Sequence, residues 1–188
     1  MVSDNAGLTF KMKRDAILFV DGSNFYHNSK SLIDKNKRID FNCLAKFICD
    51  KFDLNLKQIR YYNAVPDIKD NKELYYNHLK FLDNLKKDNI IIKTRKLKYI
   101  KSIKTKIEKG VDVLISSDMI RKTLVDKECK VCILISGDSD FIPVMEIIKK
   151  AGYEIIVCSP KTGFSNELRQ GKFRYLILNR EELSKCLK

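Results

Sequence analysis

The stretch VCILISGDSDFIPVMEIIKKA, Val131 to Ala151, decides how the chain folds. Its first five residues, Val131–Ile135, are apolar without a break, the pattern of a strand buried on both faces, as strands of parallel sheets are. Ser136-Gly137-Asp138-Ser139-Asp140 interrupts it. Phe141–Ala151 then reads as a helix, with Pro143 in its first turn and Gly152 at its stop.

The same unit recurs on either side. Ala16–Val20 is a second solid apolar run, ended by Asp21-Gly22-Ser23-Asn24. Asp40 is placed to cap a helix whose Phe41, Leu44, Phe47 and Ile48 share a face, Ile59–Asn63 predicts a strand stopped near Pro66, and Lys69–Lys87 predicts a long amphipathic helix. Ile90–Ile92 opens a further strand, and Val111–Val125 reads as a well-buried helix. Glu154–Cys158 and Tyr175–Leu178 are shorter strands, and Asn179 with Glu182 forms a capping box for a last short helix. Strands separated by helices of this length imply βαβ units. The predicted architecture is a three-layer α/β/α domain with a mainly parallel sheet, covering residues 15–188 behind an N-terminal extension, 1–14. The first dozen residues are candidate disorder, and the 96–108 segment is a candidate mobile loop.

The chain has 188 residues, a formal net charge of +13 and 44% hydrophobic residues, enough to build one core. The longest apolar runs are too short for a membrane span, which needs about 18 residues. The first fifteen residues lack the apolar centre of a secretory signal, so a cytoplasmic location is expected. On that expectation the six cysteines read as reduced, mostly buried thiols. Cys43 and Cys49 are assigned to the core, and the C-x-x-C pair Cys129 and Cys132 enters a buried strand, without a second such pair to complete a zinc site. Excess positive charge draws polyanions, with nucleic acid the leading class. Residues 86–109 hold ten Lys or Arg against Asp88 and Glu108, and so carry most of the excess.

In open parallel sheets ligands bind beyond the carboxyl ends of the strands, where strand order reverses. Two predicted strands end in acids there: Asp21, with Asn24 close behind, and Asp138 and Asp140, preceded by Ser136. Asp112 follows Gly110 at the start of a helix. Taken singly, each is also a plain turn or helix-cap residue. Gathered at one sheet edge, four carboxylates would repel one another unless a cation sat between them, and an all-oxygen set suits Mg2+ or Mn2+ rather than zinc.

At these residues the sequence resembles the NYN domain family, in its LabA-like branch of the PIN-like nuclease superfamily. The matching blocks are FVDGSNFY (Phe19–Tyr26), KGVDVLISSDMI (Lys109–Ile120) and ILISGDSDFIPVMEIIKKAGYEIIV (Ile133–Val157), with weaker matches in RYYNAVP (Arg60–Pro66) and SNEL (Ser165–Leu168). The resemblance implies a PIN-like, Rossmann-like fold and a metal-dependent ribonuclease, using Mg2+ or Mn2+, with single-stranded RNA the favoured partner. It implies Asp21, Asp112, Asp138 and Asp140 as catalytic and metal-binding acids, and Asn24 and Ser136 as supporting groups. Asp118 also matches, but six residues from Asp112 is about 240° around a helix, so it is expected behind the site. The family often carries an acid shortly before its last strand, where this chain has Gly171-Lys172-Phe173.

RNA contacts are expected from Lys93, Arg95, Lys96, Lys98, Lys101, Lys104, Lys106 and Lys109, with Tyr99 as a stacking ring among them. Lys11, Lys13, Arg14, Arg121 and Lys122 are candidate outer contacts. Tyr61, Tyr62 and Phe25 are assigned to core packing. His27, beside Asp21-Gly22-Ser23-Asn24, reads as a surface residue and His78 as a core-edge one. Two other readings stay open: an RNA-binding or regulatory module with little turnover, and a metal-dependent phosphatase, the latter weakened by Ser23 where a second Asp is needed. A homodimer or a larger complex is compatible with the sequence.

Overall fold

A computed structural model describes residues 12–34, 36–100, 105–107, 110–170 and 172–188, with backbone alone at 98–100 and 105–107. The first strand, β1 (Arg14–Asp21), leads into α1 (Gly22–Ser29), α2 (Phe41–Phe52) and β2 (Leu54–Val65). Then come α3 (Lys72–Lys87), β3 (Ile91–Lys96), β4 (Lys98–Ile100), β5 (Thr105–Ile107) and α4 (Val111–Ile120). The second half runs β6 (Val131–Ile135), α5 (Ile142–Lys150), β7 (Glu154–Pro160), α6 (Asn166–Arg169), β8 (Arg174–Leu178) and α7 (Arg180–Ser184).

Six strands form one parallel sheet in the order β3-β2-β1-β6-β7-β8. The order runs outward in opposite directions from β1 and β6, so the switch point lies between them. Ala16–Val20 and Val131–Ile135 are fully buried at the centre, as their unbroken apolar sequences require; burying each Val, Leu, Ile or Phe contributes about 1.5–3 kcal/mol. Alternate residues of β1 serve two cores. Ala16, Leu18 and Val20 meet α1, α2, α3 and α7, while Ile17 and Phe19 meet α4, α5 and α6. This is the three-layer α/β/α, PIN-like arrangement. No helix among the described residues is long and apolar enough to cross a membrane.

Local differences from expectation have local causes. α3 begins at Lys72 rather than Lys69, because the Asn71 side chain accepts from Leu74 N and starts the helix there. The helix expected over Val111–Val125 turns π-helical at Arg121–Val125, where Asp126 N bonds Arg121 O and the Thr123 hydroxyl donates to Met119 O. The Gly22–Ser29 segment is helical rather than a simple turn, with Asp21 as its cap. Within 96–108, Lys96 closes β3 and β4 and β5 pair as an antiparallel hairpin; residues 101–104 and 108 of that segment and residues 1–11 lie outside the described residues.

The expectation of six reduced thiols fails at one pair. Cys43, half-buried, is joined to Cys186 in a disulfide, with Cα atoms 5.3 Å apart. The C-terminal residues fold back onto the start of α2 through Asp40 N to Cys186 O and reciprocal bonds between Arg38 and Lys188. Cys49, Cys129, Cys132 and Cys158 are buried free thiols, and burial pushes Cys49 up to about 11.

Candidate metal-binding site at the sheet switch point

Asp21 closes β1 and is 4% exposed. One carboxylate oxygen accepts from Asn24 N at 3.1 Å and the other from the Ser136 hydroxyl, also at 3.1 Å, across the seam between β1 and β6. Ser136 Oγ in turn accepts from Asp138 N at 3.3 Å, and Asp138 Oδ1 accepts from Asp140 N at 3.0 Å. Asn24 completes the tie, its Oδ1 accepting from Gly137 N at 3.1 Å. The two strand ends that straddle the switch point are thus bonded into one unit.

Two of the acids are caps as well. Asp21 caps α1, and Asp138 caps the 3-10 turn Ser139–Phe141 that leads into α5. Asp112 and Asp140 are not. Gly110, at a left-handed φ of 84°, holds the cap position of α4 with no side-chain bond, and Phe141 precedes α5 in the same way. The capping alternative therefore fails at Asp112 and Asp140, which are exposed at the rim.

Although Asp112 is exposed at the rim, partial desolvation of its carboxyl against the protein, and then the like charges of Asp138 and Asp140, push it above its ordinary value. Three carboxyl groups from two separate chain segments thus share one electrostatic neighbourhood, and Asp21 is bonded to it through Ser136. No three His, Cys, Asp or Glu among the described residues close tightly enough to chelate an ion by themselves. The donors are all oxygens, and hard divalent cations commonly take one or two carboxylates with water and phosphate filling the shell. The residues present fit Mg2+ or Mn2+ on those terms.

Asp118 lies elsewhere. It is buried, with Oδ2 accepting from Arg60 Nη2 and Tyr62 OH, both at 2.8 Å, and Oδ1 pairing with Arg121 at 3.3 Å. It ties α4 to β2 behind the rim. Tyr61, Tyr62 and Phe25 are core residues, as expected. His27 is exposed and His78 half-buried.

Lys93, Arg95 and Lys96 lie on β3, the edge strand. Lys93 pairs in register with Tyr62, which pairs with Asp21, so Lys93 stands on the rung of Asp21 two strands away. Alternation sends Lys93 and Arg95 to the α4 side and Lys96 to the other. Lys98, Tyr99 and Lys106 fall in the hairpin, where only backbone is described, and Lys101, Lys104 and Lys109 lie outside the described residues. Among the outer contacts, Lys11 lies outside as well. Lys13 and Arg14 stand at the opposite end of β1, paired with Asp53 and Glu154, and Lys122 is buried between Asp126 and Glu128. None of these three flanks the acids, because strand direction places them at the far end of the sheet or in a separate ion-pair cluster.

Other contributors emerge only from the fold. Asn28, one helical turn after Asn24, donates to its Oδ1 at 3.1 Å. With Asn24, Gly137, Asp138 and Ser139 it lines an open cleft of about 370 Å3, whose other wall is Thr162, Gly163, Phe164 and Ser165. A Cβ on Gly137 would stand 1.7 Å from Gly163 O, so only glycine fits there. The four-residue spacing of Asn24 and Asn28, with the SNEL match that begins at Ser165, was the sequence signal for this side of the site.

The NYN domain family model matches residues 15–179. A solved structure of similar fold is that of a protein of unknown function, VPA0982, from Vibrio parahaemolyticus: 19% identical, with a TM-score of 0.64 over 95% of this chain and 97% of the other. No curated protein matches the sequence. The family match spans all six sheet strands and every candidate acid, and on it the chain belongs to the NYN domain family.

Proposed function

We propose that this chain is a metal-dependent ribonuclease, most active on single-stranded RNA, with residues 15–188 forming the domain and 1–14 an extension. The observation that carries it is the convergence of Asp112 on Asp138 and Asp140 at the carboxyl end of the sheet, with Asp21 held to the same unit by Ser136. Capping accounts for Asp21 and Asp138, whereas Asp112 and Asp140 cap no helix and stand exposed at the same rim, where a bound cation would offset the like charge that Asp112 meets.

Asp21 and Asp138 would hold Mg2+ or Mn2+, directly or through water, with Asp140 and Asp112 at the rim. When bound, such an ion supplies charge stabilisation at the scissile phosphate and a water of lowered pKa. Ser136 and Asn24 keep the two strand ends in register, so the carboxylates need not reorganise. Asp112 would orient the attacking water, a role that its raised affinity for protons supports. Lys93 and Arg95 would bind the phosphates of the approaching strand. The expected products carry 5′-phosphate and 3′-hydroxyl ends.

A second reading is an RNA-binding module with little turnover. It is favoured by the absence, among the described residues, of three acids close enough to chelate an ion alone. Side-by-side assays of RNA, single-stranded DNA, duplexes and phosphomonoesters with Mg2+, Mn2+ and EDTA decide. RNA cleavage that needs metal and is lost in Asp138→Asn supports the nuclease; RNA binding without cleavage supports the module; phosphomonoester turnover overturns both.

A further inference from the structure

The opposite end of the same sheet carries the reverse charge. Arg14 opens β1, Lys130 precedes β6, Lys149 lies in the last turn of α5 and Arg174 opens β8; with Lys172, Tyr153 and Glu154 they line a cleft of about 590 Å3. The cations outnumber the acids. Glu154 is shared by Arg14 and, at 2.8 Å, by Arg174, and Lys172 pairs with Glu146 at 2.9 Å. Lys149 reaches the Lys172 carbonyl, and the Lys130 ammonium stands 5.3 Å from the centre of the Tyr153 ring. Five cations therefore face two carboxylates. The frame is rigid, because Lys130 N bonds Asp15 O and Glu154 N bonds Lys130 O, tying three strand starts together.

We propose that this cleft is a second binding site for the phosphates of single-stranded RNA, remote from the acidic rim, which grips the part of a long strand that is not being cleaved. The proposal rests on RNA being the partner of this chain. Lys130 and Lys149 have no carboxylate partner among the described residues; Lys149 touches only the Lys172 carbonyl and the Phe173 ring and Lys130 the Tyr153 ring, so phosphates need break no ion pair to reach them. The half-buried Tyr153 offers a ring for a base beside those charges, a pairing that single-stranded RNA matches and an acidic peptide does not. Five-residue β6 separates the two ends by about 16 Å. A 4-mer at a stacked rise spans roughly 14 Å and a 20-mer roughly 68 Å, so only the longer strand reaches both.

The test is binding of unstructured, end-labelled 4-mer and 20-mer RNA, followed by fluorescence anisotropy in EDTA, to wild type, Lys130→Ala/Lys149→Ala and Lys130→Arg/Lys149→Arg. For wild type the 20-mer should bind the tighter. In the alanine variant its affinity should fall about tenfold at low salt, and the slope of log affinity against log salt should become shallower by about 1.4, the value for two lost phosphate contacts on a single strand. The arginine variant should keep both properties. Both lysines are exposed, and unchanged thermal melting of the variants certifies the fold. Equal affinity of wild type for the two lengths, an unchanged slope in the alanine variant, or equally effective competition by poly-glutamate overturns the proposal. The readout involves no cleavage, so a protein that shows this length dependence yet cuts no RNA refutes the nuclease and leaves the second site standing.

Discussion

Ser136 donates its hydroxyl to Asp21 across the central seam of the sheet, 3.1 Å apart, with both residues buried. Because the same oxygen accepts from Asp138 N, one hydroxyl orients acids on two strands. Ser136→Ala should therefore lower metal-dependent cleavage by about 10–100-fold, the usual cost of losing a group that orients metal ligands, and should lower stability by about 1–3 kcal/mol because a buried carboxylate loses a donor. Asp138→Asn should cost more. Several kcal/mol of transition-state stabilisation depend on the ion, and each 1.36 kcal/mol is about tenfold in rate. Kinetics with saturating Mn2+ compares the two.

Asp118 is predicted to matter for folding. Burial opposes its ionisation, but hydrogen bonds from Arg60 and Tyr62 and the charges of Arg60 and Arg121 outweigh it and hold its carboxyl below the ordinary value. A depressed folded pKa contributes stability above the unfolded value, about 3.9, and that stability is lost as pH falls through the folded one. Asp118→Asn leaves Arg60 buried without a counter-charge and should cost about 3–5 kcal/mol near pH 7. The gap to wild type should close as pH drops below about 4. Denaturant melts at both pH values check it, and Arg60→Met/Asp118→Leu should recover most of the loss.

What was legible in the sequence was what local chemistry dictates. Val131–Ile135 forms a strand with the bounds its apolar run predicts, and the Asn179–Glu182 capping box makes both of its bonds. The acids were legible because strand ends and helix starts place residues at one sheet edge whatever the details of packing. The Gly22–Ser29 helix was not, since Gly, Ser and Asn are poor helix formers and this helix depends on the Asp21 cap and on burial of Phe25. Nor was the Cys43–Cys186 pair, 143 residues apart, nor the approach of Gly163 to Gly137, which arises only when two loops from neighbouring strands close on each other.

That approach gives a third prediction. Gly137→Ala puts a methyl where Gly163 O stands, a contact of 1.7 Å that backbone alone must relieve. Moving either loop disturbs the Gly137 N to Asn24 Oδ1 bond and the Ser165 N to Gly137 O bond. Overpacking of this kind costs about 1–3 kcal/mol. Activity should fall further than stability, because the displaced loop carries Asp138. Thermal melts and cleavage rates on the same preparation measure the two losses.

Asp112 should show the opposite balance. Partial desolvation and the charges of Asp138 and Asp140 raise its pKa in the folded state, so the ionised group disfavours folding above the unfolded carboxylate value, and stability declines as pH rises toward the folded one. Asp112→Asn removes that repulsion and should raise the melting temperature in EDTA, by an amount that solvent screening at the exposed rim keeps small. Mn2+ at about a hundred times its dissociation constant should stabilise wild type by about 2.7 kcal/mol, and the variant by less. A metal titration of melting temperature for the two proteins tests both statements, and cleavage by the variant should be slower despite its greater stability.

The basic edge makes the last prediction. Lys93 shares a rung with Asp21 two strands away, a lateral offset of about 9.6 Å, and Arg95 lies one alternation further toward the carboxyl end on the same side of the sheet. A strand of RNA whose scissile phosphate sits at the acids would bring neighbouring phosphates to these two residues, whereas Lys96 points to the opposite layer. Lys93→Ala/Arg95→Ala should weaken RNA binding at low salt and reduce the slope of log affinity against log salt by about 1.4. Lys96→Ala should leave that slope nearly unchanged. Because phosphate contacts do not read sequence, the loss should be uniform across oligonucleotides of different base composition. Anisotropy titrations over a salt series, with the two variants measured against the same set of RNAs, distinguish a directed contact from a general loss of positive charge.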